Sequence, residues 1–295
     1  MRHENKSGVD RSQVWRRLAL CGVAMMISMA CWSGCSAPSR APITIAAVSS
    51  ESKVADKEFN LSRIEHWARE AADAGADVVL FPELAVTAWF QSREYRETAE
   101  PLDGPAVQRL IRLAGELDVI LAVGMAEAAG DKVHITHVIV DGDGIIGTHR
   151  KSALAGGKTG EGRVFDVGND ANVFDIKGWR LGIAICFETV HPETCAALKS
   201  KGVEIVLAPY ANGTDPAEMI ERRHSRRWVW HRVDENRVWF VACDATPHRK
   251  GGGLLPGAAY AINPDGELVA CTDPDTDGEQ MIVVTIQGQS AKLRR

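Results

Sequence analysis

The sequence predicts an α/β fold, and three observations carry that prediction. Short runs that are apolar throughout or nearly so recur along the chain, as at 78–81, 181–185 and 203–208, the last broken only by Glu204. Strands that are apolar on both sides belong to sheets buried on both faces. These runs alternate with stretches whose apolar residues fall at helical spacing, and that alternation is the pattern of an α/β architecture.

The elements follow in order. Residues 43–48 form the first expected strand. Leu61, Ile64, Ala68, Ala71 and Ala72 then share one helix face, and Gly75 stands just past the helix end, where a left-handed glycine is favoured. Residues 78–81 are a strand stopped by Pro82. Pro105 suits a first helical position, and Val107, Leu110, Ile111, Ala114 and Leu117 make one apolar face. Strands are expected at 119–123, 133–140 and 145–149, the last two joined by the turn Asp141-Gly142-Asp143-Gly144. After the strand at 181–185 a helix starts near Pro192, with His191 as its N-cap. The strand at 203–208 leads into a helix over 216–235. Strands at 238–243, 258–262, 268–270 and 281–286 complete the sheet content, with Pro264-Asp265-Gly266 as a hairpin turn. No low-complexity tract or repeat interrupts residues 43–288.

The chain has 295 residues, 45% of them hydrophobic, which is enough for one sizeable core. A formal net charge of −5 excludes the basic footprint of a nucleic-acid binder. The first 35 residues read as an export signal. Residues 1–17 are polar and end in Arg16 and Arg17, and 18–30 is an uncharged apolar run. That run is shorter than the roughly 20 residues a spanning helix needs and has the length of a signal-peptide core. Ser33-Gly34-Cys35 resembles a bacterial lipoprotein cleavage site, although Trp32 stands where Leu or Val is usual. The expectation is a lipid-anchored exported protein with Cys35 as the lipidated residue, a linker over 36–42, one domain over 43–288 and a tail over 289–295. Of the seven cysteines, Cys186, Cys195, Cys243 and Cys271 lie in the body. Their spacing favours no Cys243–Cys271 bridge and forms no zinc pattern, and no metal or cofactor is expected.

Two strands end in reactive side chains. The strand at 78–81 leads into Pro82-Glu83, and the strand at 181–185 into Cys186. Ligands of α/β sheets bind beyond the carboxyl ends of the strands. Taken singly, a buried cysteine is usually a small hydrophobe, and Glu83 and Lys151 read as surface groups. As a set they make chemical sense. A thiol is mostly protonated at neutral pH, so it needs a base; a carboxylate supplies one, and an ammonium stabilises the developing anion.

Ala76-Asp77-Val78-Val79-Leu80-Phe81-Pro82-Glu83 resembles the first motif of the nitrilase, or carbon–nitrogen hydrolase, superfamily. His149-Arg150-Lys151-Ser152-Ala153-Leu154 is similar to its lysine motif, and Gly182-Ile183-Ala184-Ile185-Cys186-Phe187-Glu188 to its nucleophile motif. The order is that of the family, with gaps of 68 residues (83 to 151) and 35 (151 to 186). The resemblance covers 43–286 and implies a four-layer α-β-β-α sandwich. It implies that Cys186 attacks the carbonyl carbon, that Glu83 shuttles protons, and that Lys151 with the Phe187 backbone N–H holds the oxyanion. Glu161, in Gly160-Glu161-Gly162-Arg163, matches a second family glutamate. Glu188 either lines the pocket, orients Lys151 or forms a structural ion pair, and Trp89 and Phe90 are pocket candidates. Ser49 departs from the family, which often has Gln there, and Phe187 stands where Tyr or Trp is common.

The expected activity is hydrolysis of a small-molecule amide or carbamoyl amine through a Cys thioester; the family often dimerises, and the sequence leaves a homodimer open. A nitrilase is the alternative, although it typically has Trp after the cysteine. A lipid-tethered binding protein without turnover would show a missing Cys, Glu or Lys. A Cys186–His191 pair and a metal at His224 and His231 are weaker readings. Arg222, Arg223, Arg226, Arg227 and Arg232 read as a solvated helix face, and Trp228, Trp230 and Trp239 as core.

Overall fold

A computed structural model of the chain describes residues 40–88, 95–168, 172–222, 228–248 and 252–288. Cys35 with the expected signal, Trp89, Phe90, His224 and the tail over 289–295 lie outside the described residues.

Twelve described strands form two six-stranded sheets. The first has the order β12 (Gln280–Ile286), β1 (Ile43–Ser49), β2 (Val78–Leu80), β3 (Ile120–Ala129), β4 (Lys132–Val140), β5 (Ile145–Arg150). The second has β11 (Leu268–Cys271), β10 (Ala259–Ile262), β9 (Trp239–Cys243), β8 (Ile205–Pro209), β7 (Trp179–Ile183), β6 (Val173–Ile176). Each sheet is parallel at its centre: β1, β2 and β3 in one, β7, β8 and β9 in the other.

The two-residue period of a strand explains the layering. Ile43, Ile45 and Ala47 of β1 enter a core shared with Leu181, Ile183 and Ile205 of the second sheet. Ala46 and Val48 face the other way, onto α1 (Lys57–Asp73) and α3 (Pro105–Leu117). Leu61, Ile64 and Ala68 of α1 and Val107 and Leu110 of α3 complete that outer core. Leu198 of α4 (Pro192–Ser200) and Val229 and Val233 of α6 (Trp228–Asn236) cover the second sheet, beside Val206 and Phe240. Each fully buried aliphatic side chain contributes about 1.5–3 kcal/mol. Continuous apolar strands are therefore required wherever both faces are covered. The architecture is the α-β-β-α sandwich.

Helix ends follow their local chemistry. The Asp56 carboxylate accepts the Phe59 N–H at the start of α1, and Gly75 beyond its end has φ +79°. Pro105 opens α3 and Pro192 opens α4. His191 occupies the N-cap position of α4, but its side chain does not cap. Instead the ring lies edge-on to Phe187 at 5.0 Å and pairs with Glu193.

Within the helix expected over 216–235, the described residues form α5 (Pro216–Arg222) and α6, and 223–227 lie outside the described residues. Other elements differ from expectation. The strand expected to stop at 123 runs to Ala129, because β3 pairs with β4 down to Ala129 opposite Lys132. Its second half holds a glycine and the buried Glu127, which break the apolar run that marks the first half. Strand β6 was not anticipated; four residues with Asp175 among them give little pattern to read. The short α2 (Tyr95–Thr98) also lacks a periodic signal.

Strand direction positions the site. β5 is antiparallel to β4, which is antiparallel to β3, so β5 runs with β2 and β3. The carboxyl ends of β2 and β5 therefore share one edge. Those of β7, β8 and β9 share the edge of the second sheet. The Glu83 N–H donates to the Tyr210 carbonyl at 3.2 Å, joining the two edges.

Gly124 of β3 is needed for that junction. A Cβ there would lie 2.4 Å from the Leu84 nitrogen and 2.6 Å from the Pro82 carbonyl oxygen, both backbone. Gly124→Ala must push the Glu83 turn away. A destabilisation of about 1–3 kcal/mol is expected from such overpacking, with loss of activity, read by thermal melting and an amide-hydrolysis assay on the same preparation.

Candidate active site

Glu83, Lys151, Glu161 and Cys186 meet at the shared edge. Lys151 directly follows β5, and its side chain has no solvent exposure. Its Nζ donates to Glu83 Oε1 at 2.7 Å and to Glu161 Oε1 at 2.9 Å. Glu161 is held by its other oxygen, which accepts the Ala155 N–H at 2.8 Å. Glu83 also faces the Cys186 thiol. The thiol donates to Asn212 Oδ1 at 3.6 Å.

Cys186 sits at a sharp turn between β7 and the 3-10 helix Cys186–Val190, with φ +46°. A left-handed non-glycine residue costs on the order of 1–3 kcal/mol, so the surroundings must impose it. Glu188 supplies much of that constraint. Its carboxylate is wholly enclosed and accepts the Ile185 N–H at 2.6 Å, just before the cysteine. It also accepts the Ser152 N–H at 2.7 Å and hydroxyl at 2.5 Å, and pairs with His149 Nε2 at 2.8 Å. Ser152 and His149 flank Lys151. One carboxylate thus ties the turn bearing the thiol to the segment bearing the ammonium. Glu188 is thus a structural group, with both oxygens held by hydrogen bonds to His149, Ser152 and the Ile185 N–H and not turned to a pocket.

Electrostatics follow from enclosure. Burial pushes the Glu83 carboxyl above its ordinary value; Lys151 opposes this and Glu161 adds to it. Burial and then the Glu83 charge push the Cys186 thiol well up, against the pull of Lys151. Burial opposes the charge on Lys151, but Glu83, Cys186 and Glu161 outweigh it, and the ammonium is held above its usual range. The resting arrangement is a neutral thiol beside a base of raised affinity and a fixed cation. It can pass a proton from sulfur to carboxylate and stabilise an oxyanion. Among the described residues no group of His, Cys, Asp or Glu forms a metal site.

Two residues were missed in the sequence. Asn212 follows β8 and touches the thiol. Asp244 follows β9 directly, and its carboxylate accepts the N–H groups of Asn212, Gly213, Thr214 and Ala245. The rule that singled out Glu83 and Cys186, a polar group at a strand's carboxyl end, applies to both. Ser49 fills its family departure by donating to the Asp244 carbonyl at 2.9 Å, joining β1 to β9. Tyr210, Asn212, Asp244, Trp228 and Tyr260 line a cavity of about 340 Å³, and Asn212 links its wall to the thiol. Arg232 is enclosed and pairs with Glu235, unlike the solvated face expected for it. Cys186, Cys195, Cys243 and Cys271 are all unbridged.

Comparison with known proteins identifies the family of the chain. The model of the family described as "Carbon-nitrogen hydrolase" matches residues 44–295. An N-carbamoylputrescine amidase of Solanum lycopersicum is 29% identical over 245 residues, covering 78% of this chain and 81% of the relative. An (R)-stereoselective amidase of Pseudomonas sp. is 27% identical, over 72% of this chain and 75% of its own. A solved mutant amidase of Nesterenkonia sp. AN1, with the acetamide moiety of fluoroacetamide added covalently at its active-site cysteine, superposes with a TM-score of 0.73. It is 20% identical, and the match covers 87% of this chain and 94% of the other.

Replacing Glu188 tests the tie. Four donors converge on its oxygens, so Glu188→Gln leaves donors facing an amide NH2 and is expected to cost about 3 kcal/mol of stability. Burial raises the Glu188 carboxyl, but the His149 and Ser152 hydrogen bonds outweigh burial and hold it below its ordinary 4.5. The gap between wild type and variant is therefore full above pH 4.5 and closes as pH falls through the lowered folded-state value. Urea unfolding from pH 7 to pH 3 measures it.

Proposed function

The chain belongs to the carbon–nitrogen hydrolase family, and on that premise we propose that it hydrolyses small amides or carbamoyl amines through a thioester on Cys186. The observation that carries the proposal is the enclosed Lys151 ammonium, bonded to Glu83 and Glu161 beside the Cys186 thiol.

The reaction runs in two halves. As the Cys186 Sγ bonds to the carbonyl carbon, Glu83 takes the thiol proton. Raised affinity at Glu83 narrows the mismatch with a thiol that is itself pushed up, which lowers the uphill part of that transfer. The carbonyl oxygen gains negative charge, held by Lys151 and the Phe187 N–H; one such donor contributes about 3 kcal/mol to the barrier. The C–N bond breaks as Glu83 returns the proton to the leaving ammonia or amine. Water then attacks the thioester, Glu83 takes its proton, and the thiol is regenerated. Glu161 holds Lys151 in place from the other side. Relatives named as amidases support an amide or carbamoyl carbon as the point of attack. Phe187, in place of Trp, argues against a nitrile.

The substrate panel is amides, carbamoyl amines and nitriles, with ammonia release as the readout. Wild type is expected to turn over members of the first two classes, and Cys186→Ala none. Turnover that survives unchanged in Cys186→Ala would sink the proposal. Intact mass after quenching identifies the acyl half carried on Cys186.

The pH profile gives a second check. Glu83 must be ionised to take the proton, so the acid limb of kcat/KM is expected above 4.5, the ordinary value from which burial raises it. Removing the neighbouring charge in Glu161→Gln moves that limb to lower pH and lowers the rate. An acid limb that stays in place in Glu161→Gln contradicts the assignment of the limb to Glu83.

The N-terminal reading is also proposed: the chain is exported and anchored by lipid on Cys35. Palmitate labelling is expected in the full chain expressed in bacteria and absent in Cys35→Ser.

A further inference from the structure

Behind the Cys186 turn lies a hydrogen-bonded knot that the reaction above does not use. Thr189 is completely enclosed. Its hydroxyl donates to the Cys186 carbonyl oxygen at 2.7 Å. It accepts from the Tyr210 hydroxyl at 2.9 Å and from Trp228 Nε1 at 3.1 Å. One bond given and two received exhaust a hydroxyl, so its hydrogen has a single direction.

That direction matters for chemistry. The Cys186 C=O and the Phe187 N–H belong to one peptide plane and, in a trans peptide, point opposite ways. A bond that pins the carbonyl also aims the N–H. Tyr210 and Trp228 meanwhile line the cavity together with Asn212, which meets the thiol. The same two side chains face the cavity and hold the threonine.

We propose that Thr189 is a positioning residue: it aims the Phe187 N–H at the oxyanion and joins that N–H to the cavity wall through Tyr210 and Trp228. The proposal rests on the reading of Phe187 as an oxyanion donor. A donor is useful only when it points to where charge develops, and loss of one costs roughly 100- to 1000-fold in kcat. Misdirection of a donor that is still present costs less, on the order of 10- to 100-fold.

Thr189→Val keeps the shape and removes the hydroxyl; Thr189→Ser keeps the hydroxyl. Both are compared with wild type on the best amide of the panel, below the melting temperature of the least stable variant. Thr189→Val is expected to lose about 10- to 100-fold in kcat with KM within about threefold. Thr189→Ser is expected to stay within about threefold of wild type, because the hydroxyl is what acts. Labelling of Cys186 by iodoacetamide needs no oxyanion donor and is expected to keep its rate in both. If Thr189→Val does not fold, Tyr210→Phe decides: it removes one of the two bonds that fix the hydroxyl, and kcat is expected to fall in the same direction by a smaller factor.

A kcat for Thr189→Val within twofold of wild type overturns the proposal, as does a loss confined to KM or an equal loss in Thr189→Ser. If Cys186→Ala is dead while Thr189→Val is unimpaired, only this inference fails. If Cys186→Ala keeps its activity, the reading of the site itself fails.

Discussion

The Lys151 ammonium has no contact with solvent, and an unpaired charge in that position would not survive folding. Its two carboxylate partners are therefore a condition of the fold as much as of the chemistry. Glu83 and Glu161 must arrive at the same point, from the end of β2 and from the loop after β5. Burial raises the proton affinity of Glu83; Lys151 opposes that rise and the second carboxylate, Glu161, adds to it. A pairing forced by burial thus yields a base stronger than an exposed glutamate.

The cysteine depends on the same constraint at one remove. A left-handed turn that presents the thiol is held by Glu188, whose other bonds reach the residues on either side of Lys151. Spacing between nucleophile and cation is set by a group that touches neither. Asp244 performs a similar task on the far wall, gathering four backbone N–H groups so that Asn212 meets the thiol. Both carboxylates work through backbone, and both are enclosed, which makes those bonds costly to break.

Strand positions were legible because burial on two faces leaves little freedom of composition: 78–81 and 238–243 read as continuous apolar runs, 43–48 as one broken only by Thr44, and they became β2, β9 and β1. Glu83 and Cys186 were legible as abrupt polar endings of such runs, and Lys151 only through motif order. Asn212 and Asp244 end strands as well, but short polar residues are ordinary turn formers, and nothing local separates the two uses. The partners of Glu188 lie 36 and 39 residues earlier in the chain, a pairing that no local pattern encodes. Thr189 was equally silent, since its role depends on Tyr210 and Trp228 arriving from other elements.

Enclosure of the Cys186 thiol has a consequence for the lifetime of the protein. Peroxide and disulfides attack thiolates, and a cysteine whose burial favours the protonated form offers them little. Cys195 and Cys243 are kept protonated by burial in the same way. A nucleophile that is charged only while a substrate carbon is in reach can stay reduced through long intervals of idleness, in surroundings where a permanently ionised cysteine would be oxidised.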